Sequence, residues 1–425
     1  MTEKTRIVFF VRSFNDIDHI APLIHYCSLQ KSIRTAVFCL DWHYDVFSNP
    51  NIIFLLNAKA CTVDYLWSPR DGGSKDSMLV RIIDLTRNLT NVVKSYGSSG
   101  RNIGHRVATW FSPRLTRLIG VLYDRLSVAQ IFKNGPPDAL VFDWINAGAF
   151  RNRKIVKYAQ RYKVPTFCLP HGLIIYSNLY VTRKRRIVVS SRDLYFDHYL
   201  APGLHRAHLE ARGIPASKIT EIGSMRFCPE WLKVREENRI GYGVGAKRLE
   251  RSNKLKVVVF LHQLTYNVDS QKLSEFLGSV GRVEGVEVFI KPHTRGMDEQ
   301  SIRKAIGNKN SVRLATNLDS GRLIDWCDVA VSFGSSIVIE ALVKRKIFIY
   351  PDYVDSNNIH FADRGGCWLV SSSEELESAL KSLSEDISAV PYSRPQEQKL
   401  LNEFIFAGAT GTDIRRSYLS AILNA

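Results

Sequence analysis

Two stretches decide the fold: Val286-Glu287-Val288-Phe289-Ile290 running into Lys291-Pro292-His293, and Asp328-Val329-Ala330-Val331 running into Ser332-Phe333-Gly334-Ser335-Ser336. Each apolar run reads as a buried strand of a parallel sheet. Each ends in polar residues, at the strand end where open α/β sheets bind their ligands. Gly334, Ser335 and Ser336 then open an apolar-periodic segment, Ile337 to Val343, that reads as a helix. Free backbone N–H groups and small hydroxyls at such a start favour phosphate. The pattern points to a phosphorylated ligand, in the first place a nucleotide.

Working outward, strand-like runs alternate with helix-like runs, the signature of βαβ units. In the first half Arg6–Val11 reads as a strand, Ile20–Gln30 as a helix, and Arg34–Leu40 and Asn51–Leu55 as strands. Residues 71–133 read as polar and helical. Strand Ala139–Phe142, helix Ala147–Tyr162 and strand Pro165–Leu169 follow, with short strands at His198–Leu200 and Ile219–Ile222. A second series begins at Lys256 and contains the two deciding stretches. A chain of 425 residues suits two domains of about 200 residues each. The expected division is an acceptor-side domain over 1–232 and a charged, glycine-rich linker over 233–254. A nucleotide-donor-binding domain over 255–392 follows, with helices over 393–425 that pack back across the junction. The fold class is α/β, two doubly wound Rossmann-like domains.

The hydrophobic fraction of 45% and charged fraction of 23% exclude large-scale disorder. The seven cysteines form no Cys-x-x-Cys pair and sit mostly in apolar runs, which reads as buried thiols in a reducing compartment. Met1-Thr2-Glu3-Lys4 leads straight into a strand, and no apolar run approaches the roughly 18 residues that span a bilayer. The expectation is a cytoplasmic protein. Its formal charge of +17 speaks to partners. Arg183-Lys184-Arg185-Arg186 is the densest basic cluster, and Arg151, Arg153, Lys154, Lys157, Arg161 and Lys163 form a second on a helix. Nucleic acid, an anionic membrane face and an anionic substrate all fit that charge. The clusters lack the interleaved aromatics that stack on bases, which sets nucleic acid aside.

Single residues carry the chemistry. His293 and Lys291 suit a phosphate oxygen, and Gly334 permits close backbone approach to one. Ser335 and Ser336 fit the same phosphates, although serine is also an ordinary helix cap. Glu340, in the helix that follows, suits two ribose hydroxyls. In the first half Pro170-His171-Gly172 follows a strand, and a neutral His171 suits a general base for a sugar hydroxyl. Asp143, at another strand end, orients that histidine or acts as the base itself. Arg226, in Gly223-Ser224-Met225-Arg226, suits a phosphate or an acidic acceptor. Asp16-Ile17-Asp18 admits a metal with a diphosphate but reads better as the cap of the first helix.

Taken together these residues resemble a broad group of bacterial surface-polysaccharide enzymes of glycosyltransferase B (GT-B) fold. The group includes capsule Kdo transferases, bacterial sialyltransferases and CDP-glycerol glycerophosphotransferases. Lys291-Pro292-His293 is similar to its Lys-x-His-Pro motif, with Thr294 where the common pattern has proline. Ser335-Ser336 is similar to its Ser-Ser motif at the nucleotide phosphates, His171-Gly172 to its His-Gly turn, and Gly223 to Phe227 to the segment that ends the first domain. The resemblance implies a transferase that moves a sugar from a CMP- or UDP-linked donor to a growing cell-surface polysaccharide or lipopolysaccharide. His171 would be its base. It would need no metal or resident cofactor and would work peripherally at the inner face of the cell membrane, meeting an anionic glycan, lipid-linked acceptor or anionic lipid. A CDP-polyol phosphotransferase, a UDP-sugar epimerase and a non-catalytic nucleotide- or nucleic-acid-binding protein are the alternatives.

Overall fold

The computed structural model describes residues 4–41, 44–66, 128, 131–132, 135–143, 146–148, 150–170, 194–241, 249, 252–262, 267–293, 299–307, 311–357, 359–360, 364–408 and 411–425. His171, Gly172, Thr294, the 183–186 cluster and the stretch 71–127 lie outside them.

Among the described residues thirteen strands form two sheets. The first has the order β3-β2-β1-β4-β5-β6-β7, with β1 Thr5–Val11, β2 Ile33–Cys39, β3 Thr62–Tyr65, β4 Ala139–Phe142, β5 Thr166–Cys168, β6 His198–Ala201 and β7 Ile219–Glu221. The second has the order β10-β9-β8-β11-β12-β13, with β8 Leu255–Phe260, β9 Val286–Lys291, β10 Val312–Leu314, β11 Val329–Ser332, β12 Ile347–Pro351 and β13 Trp368–Val370. Neighbours in the second sheet are parallel throughout. In each sheet the strand order reverses beside the first strand, which is the doubly wound arrangement. By contacts the chain divides into two compact units. One comprises the described residues of 1–169 and 190–199, the other those of 170–189 and 200–424.

The strands are continuous apolar runs because helices cover both faces of a parallel sheet. Val257, Val258 and Val259 of β8 and Val329 and Val331 of β11 are fully buried. Beside them, Phe260, Phe289, Leu323, Trp326 and Ala341 join one core cluster beneath the strand ends. Six cysteines are buried and Cys61 is half-buried, none of them in a disulfide, and burial pushes the Cys27 thiol up to about 12. Among the described residues no helix is long and apolar enough to cross a membrane.

Three expectations are corrected. Asn51–Leu55 is not a strand but part of a helix, Pro50–Asn57. Asn49 caps it by accepting from the Asn51 and Ile52 N–H groups, and Pro50 is pre-set for the first helical position. The first helix begins at Phe14, not Ile20, because Ser13 and Asp16 form a capping box. Asp16 accepts from the Arg12 N–H at 2.7 Å and from Ser13 Oγ at 2.9 Å. Asp18 accepts from Asn51 at 2.8 Å. The two aspartates therefore serve the local fold, as the cap reading has it. The segment read as linker from Lys233 is helical up to Glu237, within helix Pro229–Glu237.

Candidate functional site

In the second unit, three loops leave the carboxyl ends of adjacent strands. β8 is followed by Leu261 and His262, β9 by Pro292 and His293, and β11 by Phe333 to Ser336. The sheet reverses between β8 and β11, so the loops border the crevice where open α/β sheets take ligands. The rings of His262 and His293 meet edge to face, with centroids 5.7 Å apart. Phe333 is fully buried and rests edge-on against Phe276. The chain then turns at Gly334, whose φ is +67°. A Cβ there would lie 3.2 Å from His262 Nδ1 and 3.4 Å from Cε1. At this positive φ, glycine lets the backbone approach the imidazole without that tight contact.

Ser335 and Ser336 open the next helix in different ways. Ser335 Oγ accepts from the Ile337 N–H at 3.4 Å. Ser336 holds the cap position of helix Ile337–Val343 without a side-chain cap bond. Lys291 Nζ donates to the Thr316 carbonyl at 2.8 Å, which ties the loop after β9 to the loop after β10. Burial lowers the Lys291 pKa, and nearby Asp319 opposes that shift. Asp319 caps helix Ser320–Trp326 through Gly321 and Arg322, and burial raises its pKa.

Glu340 is buried, with both carboxylate oxygens 3.4 Å from Arg235 Nη1. Arg235 comes from helix Pro229–Glu237, and with Gly321, Leu232 and Lys344 it lines a small pocket against Glu340. Arg226 sits in the short 3-10 turn Met225–Phe227, its guanidinium 5.0 Å from the Phe227 ring. In the first unit, Asp143 follows β4 and is buried, and Arg12 Nη2 donates to its Oδ2 at 3.3 Å. That pair spans the point where the first sheet reverses, between β1 and β4. A carboxylate already held by a guanidinium reads better as an orienting group than as a base. His171 lies outside the described residues. Among those residues, no three His, Cys, Asp or Glu side chains cluster as a metal site.

Two site residues escape the sequence reading. Arg235 is concealed in a charged stretch that resembles a linker. His262 carries the same signal as His293, a histidine just after a buried valine-rich strand. It is 6% exposed, and burial followed by the nearby His293 pushes its pKa down to about 3. At neutral pH it is an uncharged hydrogen-bonding group. The unfolded chain takes up a proton near the ordinary value of about 6.5 while the folded chain resists, so stability is lost as pH falls from there towards 3. Moving from pH 7 to pH 5 is expected to cost about 2 kcal/mol through this residue. Thermal melts of the wild type and His262→Asn across that range check it: the variant's curve should be flatter, and parallel curves would contradict the assignment.

No protein-family model and no curated protein matches the chain. Solved structures match it end to end. UDP-GlcNAc 2-epimerase from Neisseria meningitidis, bound to UDP-GlcNAc, is similar over 99% of this chain and 100% of its own, at 14% identity and a TM-score of 0.57. A glycosyltransferase from Rickettsia africae is similar over 99% and 98%, at 12% identity and a TM-score of 0.52. Anabaena HepE, in complex with UDP and glucose, is similar over 99% and 100%, at 10% identity and a TM-score of 0.52. At these identities the likeness is one of fold, and the fold is GT-B.

Proposed function

We propose that this chain is a glycosyltransferase that takes a sugar from a UDP-linked donor and passes it to a hydroxyl of a growing cell-surface glycan. One observation carries the reading: His262, Lys291 to His293 and Gly334 to Ser336 leave neighbouring strand ends where the sheet reverses. The UDP in the Neisseria and Anabaena structures favours uridine over cytidine as the donor base. In this reading His293, Ser336 and the backbone at Gly334 donate to the diphosphate, and Lys291 supplies positive charge. Such preorganised donors stabilise the charge that develops on departing UDP, an electrostatic effect that is often the largest in catalysis. Glu340 would take the ribose hydroxyls. His171 would remove the acceptor proton, and the reaction needs no metal.

Thermal shift with CMP, CDP, UDP, GDP and ADP tests the site. UDP at about 100 times its Kd is expected to add about 2.7 kcal/mol of stability. His293→Ala and Ser336→Ala should each remove most of that gain, since a hydrogen bond to a charged group contributes about 1.5–3 kcal/mol. A chain stabilised by none of the five nucleotides would defeat the donor-site reading and favour a nucleic-acid-binding protein. A second reading, an epimerase of a UDP-sugar, is favoured by the 2-epimerases among the similar structures. The two separate on a donor-only incubation. An epimerase makes a new UDP-sugar without acceptor, whereas a transferase releases UDP only when acceptor is present.

A further inference from the structure

Helix Phe150–Tyr162, FRNRKIVKYAQRY, contains five basic residues and no acidic one. It buries Asn152, Ile155, Val156 and Ala159, and Asn152 Nδ2 donates to the Asn146 carbonyl at 3.1 Å, fixing the helix start. The opposite face exposes Arg153, Lys157 and Arg161. These residues are spaced i, i+4, i+8 and so form one row. Lys163, just beyond the helix end, is exposed as well. Among the described residues no ion pair is made by Arg153, Lys157, Arg161 or Lys163. Like charges at this spacing repel, at about 0.2–0.5 kcal/mol per pair. A face selected only for solubility would mix signs. Helix Ser373–Glu385 on the other unit, SEELESALKSLSE, does carry a lysine among its acids.

The whole chain repeats this asymmetry. Residues 1–200 hold 28 Lys and Arg against 14 Asp and Glu, while residues 201–425 hold 30 against 27. Most of the +17 charge therefore belongs to the first 200 residues. At the end of the row, Tyr162 is 46% exposed and stacks on Phe132 at 4.9 Å. An amphipathic ring beside a row of cations is the composition of a membrane–water interface.

We infer that the Arg153–Lys157–Arg161 face is a docking surface for anionic lipid headgroups. This deepens the proposed function by giving the basic unit a partner, and the two can fail separately. Each Lys or Arg near an anionic membrane contributes about 1 kcal/mol, so three together are expected to change partitioning about 100-fold. The experiment is co-sedimentation of the full chain with phosphatidylcholine vesicles, with and without phosphatidylglycerol, at several salt concentrations. The wild type should bind only the phosphatidylglycerol vesicles and lose them as salt rises. The triple variant Arg153→Gln, Lys157→Gln, Arg161→Gln should bind them about 100-fold more weakly, while its melting temperature and UDP shift stay those of the wild type. Wild-type affinity in the triple variant would overturn the proposal. So would equal binding to both vesicle types, or binding of a soluble acidic polysaccharide through these residues with no vesicle binding. Should the triple variant melt early, single Gln variants, each about five-fold weaker, decide the matter.

Discussion

His171→Ala is expected to lower turnover by about 10²–10⁴-fold, the usual contribution of a positioned general base, and to leave the UDP thermal shift unchanged. The expectation comes from where the residue stands in the sequence. β5 ends at Cys168, and Leu169-Pro170-His171-Gly172 follows. β5 pairs with β4, and β4 is followed by Asp143. Polar residues that follow parallel strands in a doubly wound sheet are its functional set. Imidazole titrates near neutrality, so it can accept a hydroxyl proton and pass it on. Turnover as a function of pH supplies a second readout. The wild type should lose rate on the acid side as its base takes up a proton, and that limb should be absent from the residual activity of the variant. Unchanged turnover would take His171 out of the mechanism. Loss of the UDP shift together with turnover would make it a binding residue instead. Asp143→Asn should slow turnover less, because Arg12 already holds that carboxylate at 3.3 Å.

The second sheet was legible because its strands are buried on both faces. Val257 to Leu261 and Val329-Ala330-Val331 then appear as unbroken apolar runs, and the polar residue after each, His262 and Ser332, marks its carboxyl end. The same rule misled at Asn51–Leu55, where Ile52-Ile53-Phe54-Leu55-Leu56 is equally unbroken but helical. An apolar run alone does not separate strand from buried helix; the Asn49-Pro50 start signal does. Ser13-x-x-Asp16 was likewise a start signal in plain view. The Arg235–Glu340 pair was not legible, since it joins positions 105 residues apart. Nothing in the local pattern of a charged helix says which buried acid it will reach. His262 was legible by the reasoning applied to His293. Its closeness to Gly334 was not, because it depends on β8 and β11 being neighbours.

That dependence on long-range contact is strong at Gly223, and among the described glycines Gly223→Ala is expected to be the most destabilising alanine substitution. Gly223 has φ +112°, and a Cβ on it would lie 2.1 Å from the Ile405 carbonyl oxygen and 3.1 Å from Ile414 Cδ1. The obstacle is backbone at the end of helix Arg394–Phe406, so no rotamer change relieves it. The neighbouring bonds hold the approach in place. The Ser224 N–H donates to the Ile405 carbonyl at 2.8 Å, and the Tyr418 hydroxyl donates to the Gly223 carbonyl at 2.8 Å. Gly203 makes a similar approach, its Cβ position 2.2 Å from the Glu403 carbonyl oxygen. The methyl must therefore push the C-terminal helices off the segment that carries Arg226, at a cost above about 4 kcal/mol. Gly213 is the control. It has φ +84° with nothing within 4 Å of a Cβ, so Gly213→Ala meets only backbone strain of about 1–3 kcal/mol. Thermal and denaturant melts of the two variants separate the effects. A Gly223→Ala protein that melts with Gly213→Ala would mean that the C-terminal helices yield to the methyl. They would then be loosely held, and the two hydrogen bonds across that contact would contribute little to its stability.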